Sequence, residues 1–358
     1  MSMNVGLITD DAIAQEGHLQ WKTTGVGRYT RELHRGLTAE GVSVGLIFAG
    51  APRLPLGEAL KHIVTMPRAV RGAAGQFDLI HASSPITALC FALVRKPKVV
   101  TYHDLLPLLC SNASDAFHTR LFAPVFLRVG MLADRIIAGS SQTKREIVAH
   151  LGIREDKIAV VNYGISHIFR PMRETDRREN IVGYVGTLDR RKSVDYLLRA
   201  ICAFKRKYAA TPLKLVICGS QSHEYGALVK LANDLDVAEL VEFRGPLPEE
   251  ELTRAYGSFD VLVHPSEWEG FGLPVLEAQR CGVPVIIRAD ARIPAEVSAC
   301  CLKARSEEDM ADKIYQLLTE APLNRSVVGQ GLEYSQQFTW ERAVRQTIDV
   351  YEQALARR

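Results

Sequence analysis

A chain of 358 residues with 47% apolar and 24% charged residues holds enough material for two cores. It excludes whole-chain disorder, a collagen-like fibre and any need for a disulfide or metal staple. The net charge is only +3, yet residues 1–170 hold 19 Lys and Arg against 13 Asp and Glu while residues 171–358 hold 25 against 28, so the first half suits an anionic partner, phosphate-bearing or a membrane surface.

No apolar run approaches the roughly 18 residues that cross a bilayer. Residues 1–9 enter a strand-like segment without a basic start, so no signal peptide is expected. Seven cysteines without a Cys-x-x-Cys pair read as a reduced, cytoplasmic chain. Vicinal Cys300 and Cys301 read as packing residues, and the sequons at Asn112 and Asn324 as chance matches.

In chain order, short Val/Ile-rich runs alternate with longer helical stretches. Strands are expected at 5–9, 42–48, 79–82, 99–103, 135–138 and 158–161, then at 181–186, 213–218, 241–244, 261–264 and 283–287. Continuous apolar strands alternating with helices predict parallel sheets covered on both faces. Each half therefore reads as a doubly wound, Rossmann-like α/β domain, 1–170 and 171–340, with the boundary in a charged linker near 167–180. Residues 341–358 read as a helix capped by Thr339, with a stripe of Val344, Ile348, Tyr351 and Leu355 packing back on the first domain. If the carboxyl ends of the two sheets face each other, they form a cleft of the kind that ligands occupy.

Four strand-end loops carry polar chemistry. Thr23-Thr24-Gly25-Val26-Gly27-Arg28-Tyr29 precedes a helix expected from Thr30, and its glycines would bring an anion close to backbone N–H groups. His103-Asp104 ends a strand where a histidine can donate to a hydroxyl or move a proton. Gly186-Thr187-Leu188-Asp189-Arg190-Arg191-Lys192-Ser193 sets three cations before a helix, against its dipole, which a bound anion would compensate. Glu269-Gly270-Phe271-Gly272-Leu273-Pro274 follows strand 261–264 and opens a helix whose first turn is expected to hold Glu277. Two carboxylates flanking an anion-binding helix end describe a nucleotide-sugar site, since carboxylates accept from vicinal hydroxyls. Asp234-Leu-Asp236 matches Asp-x-Asp but reads as surface charge.

These motifs resemble the retaining glycosyltransferases of family four, which have the GT-B fold, and especially mannosyltransferases of exopolysaccharide or lipopolysaccharide synthesis. The resemblance implies that Glu269 holds donor-sugar hydroxyls and Glu277 the ribose. It implies that Arg191 and Lys192 contact the donor diphosphate, and that Gly25, Gly27 and Arg28 lie near the phosphates. It also sets Gly270, Phe271, Gly272 and Leu273 in the donor turn and His103 near the sugar and the attacking hydroxyl. Many members carry arginine where Thr187 stands, leaving Arg190 or Arg191 to supply that charge. Asn162-Tyr163-Gly164 departs from the family Asn-Gly turn by a tyrosine, and Ser298-Ala-Cys-Cys-Leu302 replaces the small acidic segment that follows Pro294-Ala-Glu296-Val.

The activity implied is metal-independent transfer of a hexose, mannose from GDP-mannose, to a glycan or lipid-linked oligosaccharide. A peripheral contact with an anionic membrane is expected, and no nucleic acid. The alternatives are a sugar-phosphate synthase or nucleotide-sugar epimerase of the same fold, and a non-catalytic nucleotide-sugar-binding protein.

Overall fold

The computed structural model describes residues 3–10, 12–15, 18–21, 24–49, 61–109, 127–172 and 180–357. Thr23, Cys110, Asn112, most of segment 105–118 and linker residues 173–179 lie outside them. The chain divides into two compact units, Met1–Gly164 with Phe338–Arg358, and Ile165–Gln337. The second unit thus begins at Ile165, not at residue 171. Ile165 and Phe169 are buried, and Phe169 meets Tyr256 edge-on at 5.7 Å, so the chain commits to the second core before the charged linker starts.

The first unit is a parallel sheet of six strands in the order β4-β1-β5-β6-β7-β8. These are β1 Asn4–Ile8, β4 Ser43–Ile47, β5 Leu79–Ala82, β6 Lys98–Tyr102, β7 Arg135–Ala138 and β8 Ile158–Val160. An unforeseen antiparallel hairpin, β2 Ala12–Gln15 and β3 His18–Trp21, follows β1. The first unit's helices of eight or more residues are α1 Gly25–Ala39, α2 Met66–Ala73, α3 Ser141–Leu151 and, from the chain's end, the last helix, Trp340–Leu355. A π-helical turn Lys61–Thr65 leads into α2, and 3-10 segments Thr87–Leu93 and Gly130–Leu132 precede β6 and β7.

The second unit is also a parallel six-stranded sheet, in the order β11-β10-β9-β12-β13-β14. Its strands are β9 Ile181–Val185, β10 Lys214–Cys218, β11 Val241–Gly245, β12 Val261–His264, β13 Val285–Arg288 and β14 Leu302–Ala304. The helices of eight or more residues are α4 Val194–Lys207, α5 Tyr225–Asp234, α6 Glu249–Ser258, α7 Leu273–Arg280, α8 Glu307–Thr319 and α9 Ala321–Ser335; the last helix, Trp340–Leu355, is α10. The central strands are buried on both sides, as Val261, Leu262, Val263 and His264 of β12 show with no exposed surface, which is why they read as unbroken apolar runs. β14 went unforeseen because Leu302-Lys303-Ala304 is a three-residue edge strand with an exposed lysine.

The last helix buries Trp340, Ala343, Val344, Thr347, Val350, Tyr351 and Ala354. The stripe is turned from the expected one: Ile348 and Leu355 are only partly covered. It packs on α1, where a side chain at Gly36 would come within 2.4 Å of Val344 Cγ2. It also anchors a buried relay: Tyr351 Oη to His81 Nδ1 at 2.7 Å, His81 Nε2 to Thr101 Oγ1 at 2.9 Å, and Thr101 Oγ1 to Tyr29 Oη at 2.9 Å. Burial, helped by His103, pushes His81 down to about 3, so the relay is neutral at physiological pH. Tyr351→Phe strands the Nδ1 atom of His81 in the core. We expect it to cost about 1–3 kcal/mol, read as a lower urea midpoint with an unchanged slope, against an exposed control such as Glu352→Ala.

Candidate functional site

In the second unit the strand order reverses at β9, which runs on to β10 on one side while the chain later returns to β12 on the other. Ligands of open α/β sheets bind at the carboxyl ends of the strands at such a switch point. The two loops that leave these ends, 186–193 and 265–272, are the polar motifs of the sequence. They are joined by backbone: Glu267 N–H donates to Arg191 O at 2.9 Å. The second loop is also tied to a neighbouring turn, with Glu269 N–H donating to Arg292 O at 3.0 Å and Arg292 N–H to Glu267 O at 2.8 Å. The Arg292 guanidinium sits 5.1 Å over the Trp268 ring.

Between the loops lies a buried charge cluster. Lys192 Nζ meets Glu269 Oε1 at 2.5 Å, His264 Nε2 meets the same oxygen at 2.8 Å, and Arg191 Nη1 approaches Oε2 at 3.7 Å. Lys192 and Glu269 are each 7% exposed and His264 not at all. Arg191 also donates to Trp268 O at 3.4 Å. The backbone aims Lys192 by a sharp turn: Arg190–Lys192 is a single 3-10 turn and Ser193 follows at φ +48°. That left-handed conformation costs a non-glycine residue about 1–3 kcal/mol and persists only where the surroundings impose it.

Burial alone would raise the Glu269 carboxyl, but Lys192, His264 and Arg191 outweigh it and hold the group well below the usual carboxylate range. Burial pushes Lys192 down, with Glu269 opposing. Burial likewise keeps His264 neutral, so its Nε2–H donates to Glu269. His264 Nδ1, Ser266 Oγ and Trp268 Nε1 are buried polar atoms with no hydrogen-bond partner among the described residues, an unusual concentration on one loop.

Gly272, at φ +104°, turns the chain into α7. A side chain there would meet Val297 at 3.3 Å, so both dihedral and space call for glycine. Leu273 and Pro274 start α7, Phe271 is buried and Gly270 half-buried. Glu277 is the fifth helical residue, beyond the first turn in which it was expected. Its buried carboxylate accepts from Tyr256 Oη at 2.8 Å, across from α6.

Thr187 and Arg190 are exposed. Thr187 Oγ1 donates to Asp189 at 2.6 Å, and Arg191, not Arg190, joins the cluster. Asp234 and Asp236 pair at the surface with Lys230 and Lys205. Among the described residues no group of three or more His, Cys, Asp or Glu is gathered as a metal would need.

In the first unit, α1 starts at Gly25, five residues before the expected Thr30. The Gly-Val-Gly-Arg-Tyr run is therefore helical, with Thr24 as its cap accepting from Gly27 N–H at 3.0 Å. Gly25 is exposed with open space around it, Gly27 is buried and Arg28 half-buried. His103 has both ring nitrogens engaged, Nε2 with Ser83 O at 2.8 Å and Nδ1 with Tyr163 Oη at 2.6 Å. Since a carbonyl only accepts, Nε2 carries a proton, and in the neutral ring Nδ1 accepts from the tyrosine. The tyrosine that departs from the family turn thus orients the histidine ring, which stands edge-on to Tyr29 at 5.0 Å.

Comparison with known proteins agrees with this architecture. The model described as Glycosyltransferase Family 4 matches residues 23–167, and Glycosyl transferases group 1 matches residues 168–333. A D-inositol 3-phosphate glycosyltransferase of Corynebacterium aurimucosum is 30% identical over 63% of this chain, which spans 58% of that relative's length. Among solved structures, sucrose-phosphate synthase from Thermosynechococcus elongatus superposes with a TM-score of 0.76 at 22% identity, over 99% of this chain and all of the other. HepE of Anabaena, in complex with UDP and glucose, gives 0.72 at 17% over 98% and 100%.

Removing one partner of a buried pair strands the other. Lys192→Met should destabilise the protein by about 3–5 kcal/mol, and Lys192→Met/Glu269→Met should recover most of that loss. Because the folded carboxyl of Glu269 is depressed, its stabilisation is present above the ordinary value of 4.5 and fades as pH falls through the lower folded value. That acid-side decline should flatten in the double variant, measured by urea unfolding across the acid range.

Proposed function

We propose that this chain, which carries a family 4 glycosyltransferase domain followed by a group 1 glycosyl transferase domain, transfers a hexose from a nucleoside-diphosphate sugar to an acceptor hydroxyl with retention at the anomeric carbon. The observation that carries the reading is the Lys192–Glu269–His264 cluster with Arg191 at the β9/β12 switch point. Lys192 and Arg191 bring two cations to the one carboxylate they contact, beside the start of α7, in a site largely shielded from water. Such an arrangement suits a diphosphate, whose charge grows as the bond from sugar carbon to phosphate oxygen breaks.

In this reading Lys192 and Arg191 take that developing charge. Glu269, partly released from Lys192, accepts from donor-sugar hydroxyls, and Glu277 with Tyr256 receives the ribose. The acceptor oxygen bonds to the anomeric carbon on the face the diphosphate leaves, and the acceptor proton passes to a leaving phosphate oxygen. His103, held as the Nε2–H tautomer by Ser83 and Tyr163, positions groups in the first unit rather than shuttling the proton. Gly25, Gly27 and Arg28 contribute an anion-facing helix start in that unit. The scheme assigns no step to a metal.

Mannose from GDP-mannose, passed to a glycan or lipid-linked oligosaccharide, is the donor and acceptor pair favoured by the motifs. The relatives' name, D-inositol 3-phosphate glycosyltransferase, and a neighbour bound to UDP and glucose favour a phosphate-bearing polyol and a UDP-sugar as the second pair.

The test is release of nucleoside diphosphate from a panel containing GDP-mannose and UDP-glucose, with each acceptor class and with a chelator. Turnover with one donor, unaffected by chelator, is expected. Glu269→Ala and Lys192→Ala should each lower kcat by about a hundredfold or more, and Glu277→Ala should chiefly raise the donor KM. Donor binding without turnover for any acceptor would mark a binding protein instead.

A further inference from the structure

Resting on the transfer reading above, we infer that Arg288 is a positioning residue: it holds Ser193 in the left-handed conformation that aims Lys192 at Glu269, and acts without contact to the substrate.

Ser193 is unusual on two counts. It takes φ +48°, where a residue with a Cβ is disfavoured. It also stands at the cap position of α4, where a serine hydroxyl normally accepts from a backbone N–H two or three residues on. Its side chain makes no such bond. The hydroxyl accepts instead from Arg288 Nη1 at 3.3 Å. The residue is 3% exposed, so neither water nor helix capping holds it there, and a neighbouring side chain must.

Arg288 is placed to do so. It ends β13, the neighbour of β12 and of the loop that carries Glu269. Its Nε and Nη2 fork onto the Asp290 carboxylate at 3.0 and 2.8 Å. The guanidinium lies 4.7 Å over the ring of Tyr196, in the first turn of α4. A planar fork pinned by a carboxylate and stacked on a ring keeps little freedom. Nη1 is thereby directed between Ser193 Oγ at 3.3 Å and Glu267 Oε1 at 3.4 Å. Glu267 N–H in turn donates to Arg191 O at 2.9 Å. The turn is thus tied at Arg191 by main chain and at Ser193 by Arg288, with Lys192 between the ties.

Two other roles fit less well. The carboxylates of Asp290 and Glu267 already occupy the guanidinium, so Arg288 is not a spare cation for a diphosphate. Those carboxylates are 70% and 61% exposed, and such surface pairs add little to stability. They orient the arginine more than they hold up the fold.

The experiment compares Arg288→Gln, Ser193→Gly and Arg288→Gln/Ser193→Gly. It measures kcat and KM with whichever donor of the nucleotide-sugar panel the wild type turns over. Glycine takes the left-handed conformation without strain, so Ser193→Gly should make Arg288 dispensable. Arg288→Gln alone should lower kcat about tenfold, with donor KM within about twofold and the urea midpoint at neutral pH unchanged. In the Ser193→Gly background the same change should cost less than about twofold. A second readout needs no turnover. The acid-side fall in stability that comes from Glu269 should flatten in Arg288→Gln, since a displaced Lys192 depresses that carboxyl less, and Ser193→Gly should restore it. Absence of turnover with every donor would therefore count against the transfer reading, while the acid-side profile still decides the role of Arg288. Equal losses in the serine and glycine backgrounds, a loss confined to donor KM, or an unchanged kcat and acid-side fall in Arg288→Gln would overturn the inference. Should Arg288→Gln not fold, Arg288→Lys, which keeps the charge but not the fork, takes its place in the same comparison.

Discussion

A lysine ammonium and a glutamate carboxylate, both more than nine-tenths buried, meet at 2.5 Å between two loops of the second unit. Taking both ions out of water is expensive, and their attraction offsets the cost only if the geometry is tight and the remaining polar atoms are served. The local structure supplies those conditions. Ser193 accepts a strained dihedral to aim Lys192, and the 186–193 and 265–272 loops are joined by main chain. His264 contributes a neutral N–H to the oxygen that Lys192 also holds. Trp268 and Arg292 close one flank by ring and guanidinium. Each device is local, yet each depends on β9 and β12 being neighbours, a consequence of the strand order.

The first unit achieves order by a contrasting means. Its central relay from Tyr351 through His81 and Thr101 to Tyr29 is neutral, because burial keeps His81 unprotonated. A neutral relay fixes position without storing charge, and here it fixes the last helix and α1 to the middle of the sheet. Tyr29 then touches His103, whose tautomer is set by Ser83 and Tyr163. The helix start at Gly25 and the histidine at the end of β6 are thereby registered to one another through Tyr29, the last residue of the Gly-Val-Gly-Arg-Tyr run.

Much of this was legible in the sequence, and the reasons are physical. The central strands showed because two-sided burial makes them continuous apolar runs, and the half-buried β4, β8 and β11 showed by their Val, Ile and Phe residues, whereas Leu302–Ala304 is too short and too polar to read. The hairpin after β1 lacks such a run and carries no strand signal. The start of α1 was misplaced because glycines argue against helix, while the cap that permits it is a single Thr24 side chain. Glu269 and Lys192 announced themselves by motif, but their pairing did not, since a distance across 77 residues has no linear signal. His264 read as the end of an apolar strand, and nothing in the linear pattern pointed to Tyr256. A histidine closing a buried strand just before an acidic glycine loop was the available hint.

The carboxylate between two cations needs its own argument if the pocket is to receive an anion. Without Glu269, burial would drive Lys192 toward its neutral form, because an isolated buried ammonium sheds its proton. A neutral amine stabilises no leaving group. Glu269 opposes that shift at Lys192, and the Arg191 guanidinium approaches its other carboxylate oxygen. In the proposed reading, Glu269 keeps positive charge in a dry site for an anion to use. Its exchange of Lys192 for other donors is then nearly balanced, because each lost hydrogen bond is replaced.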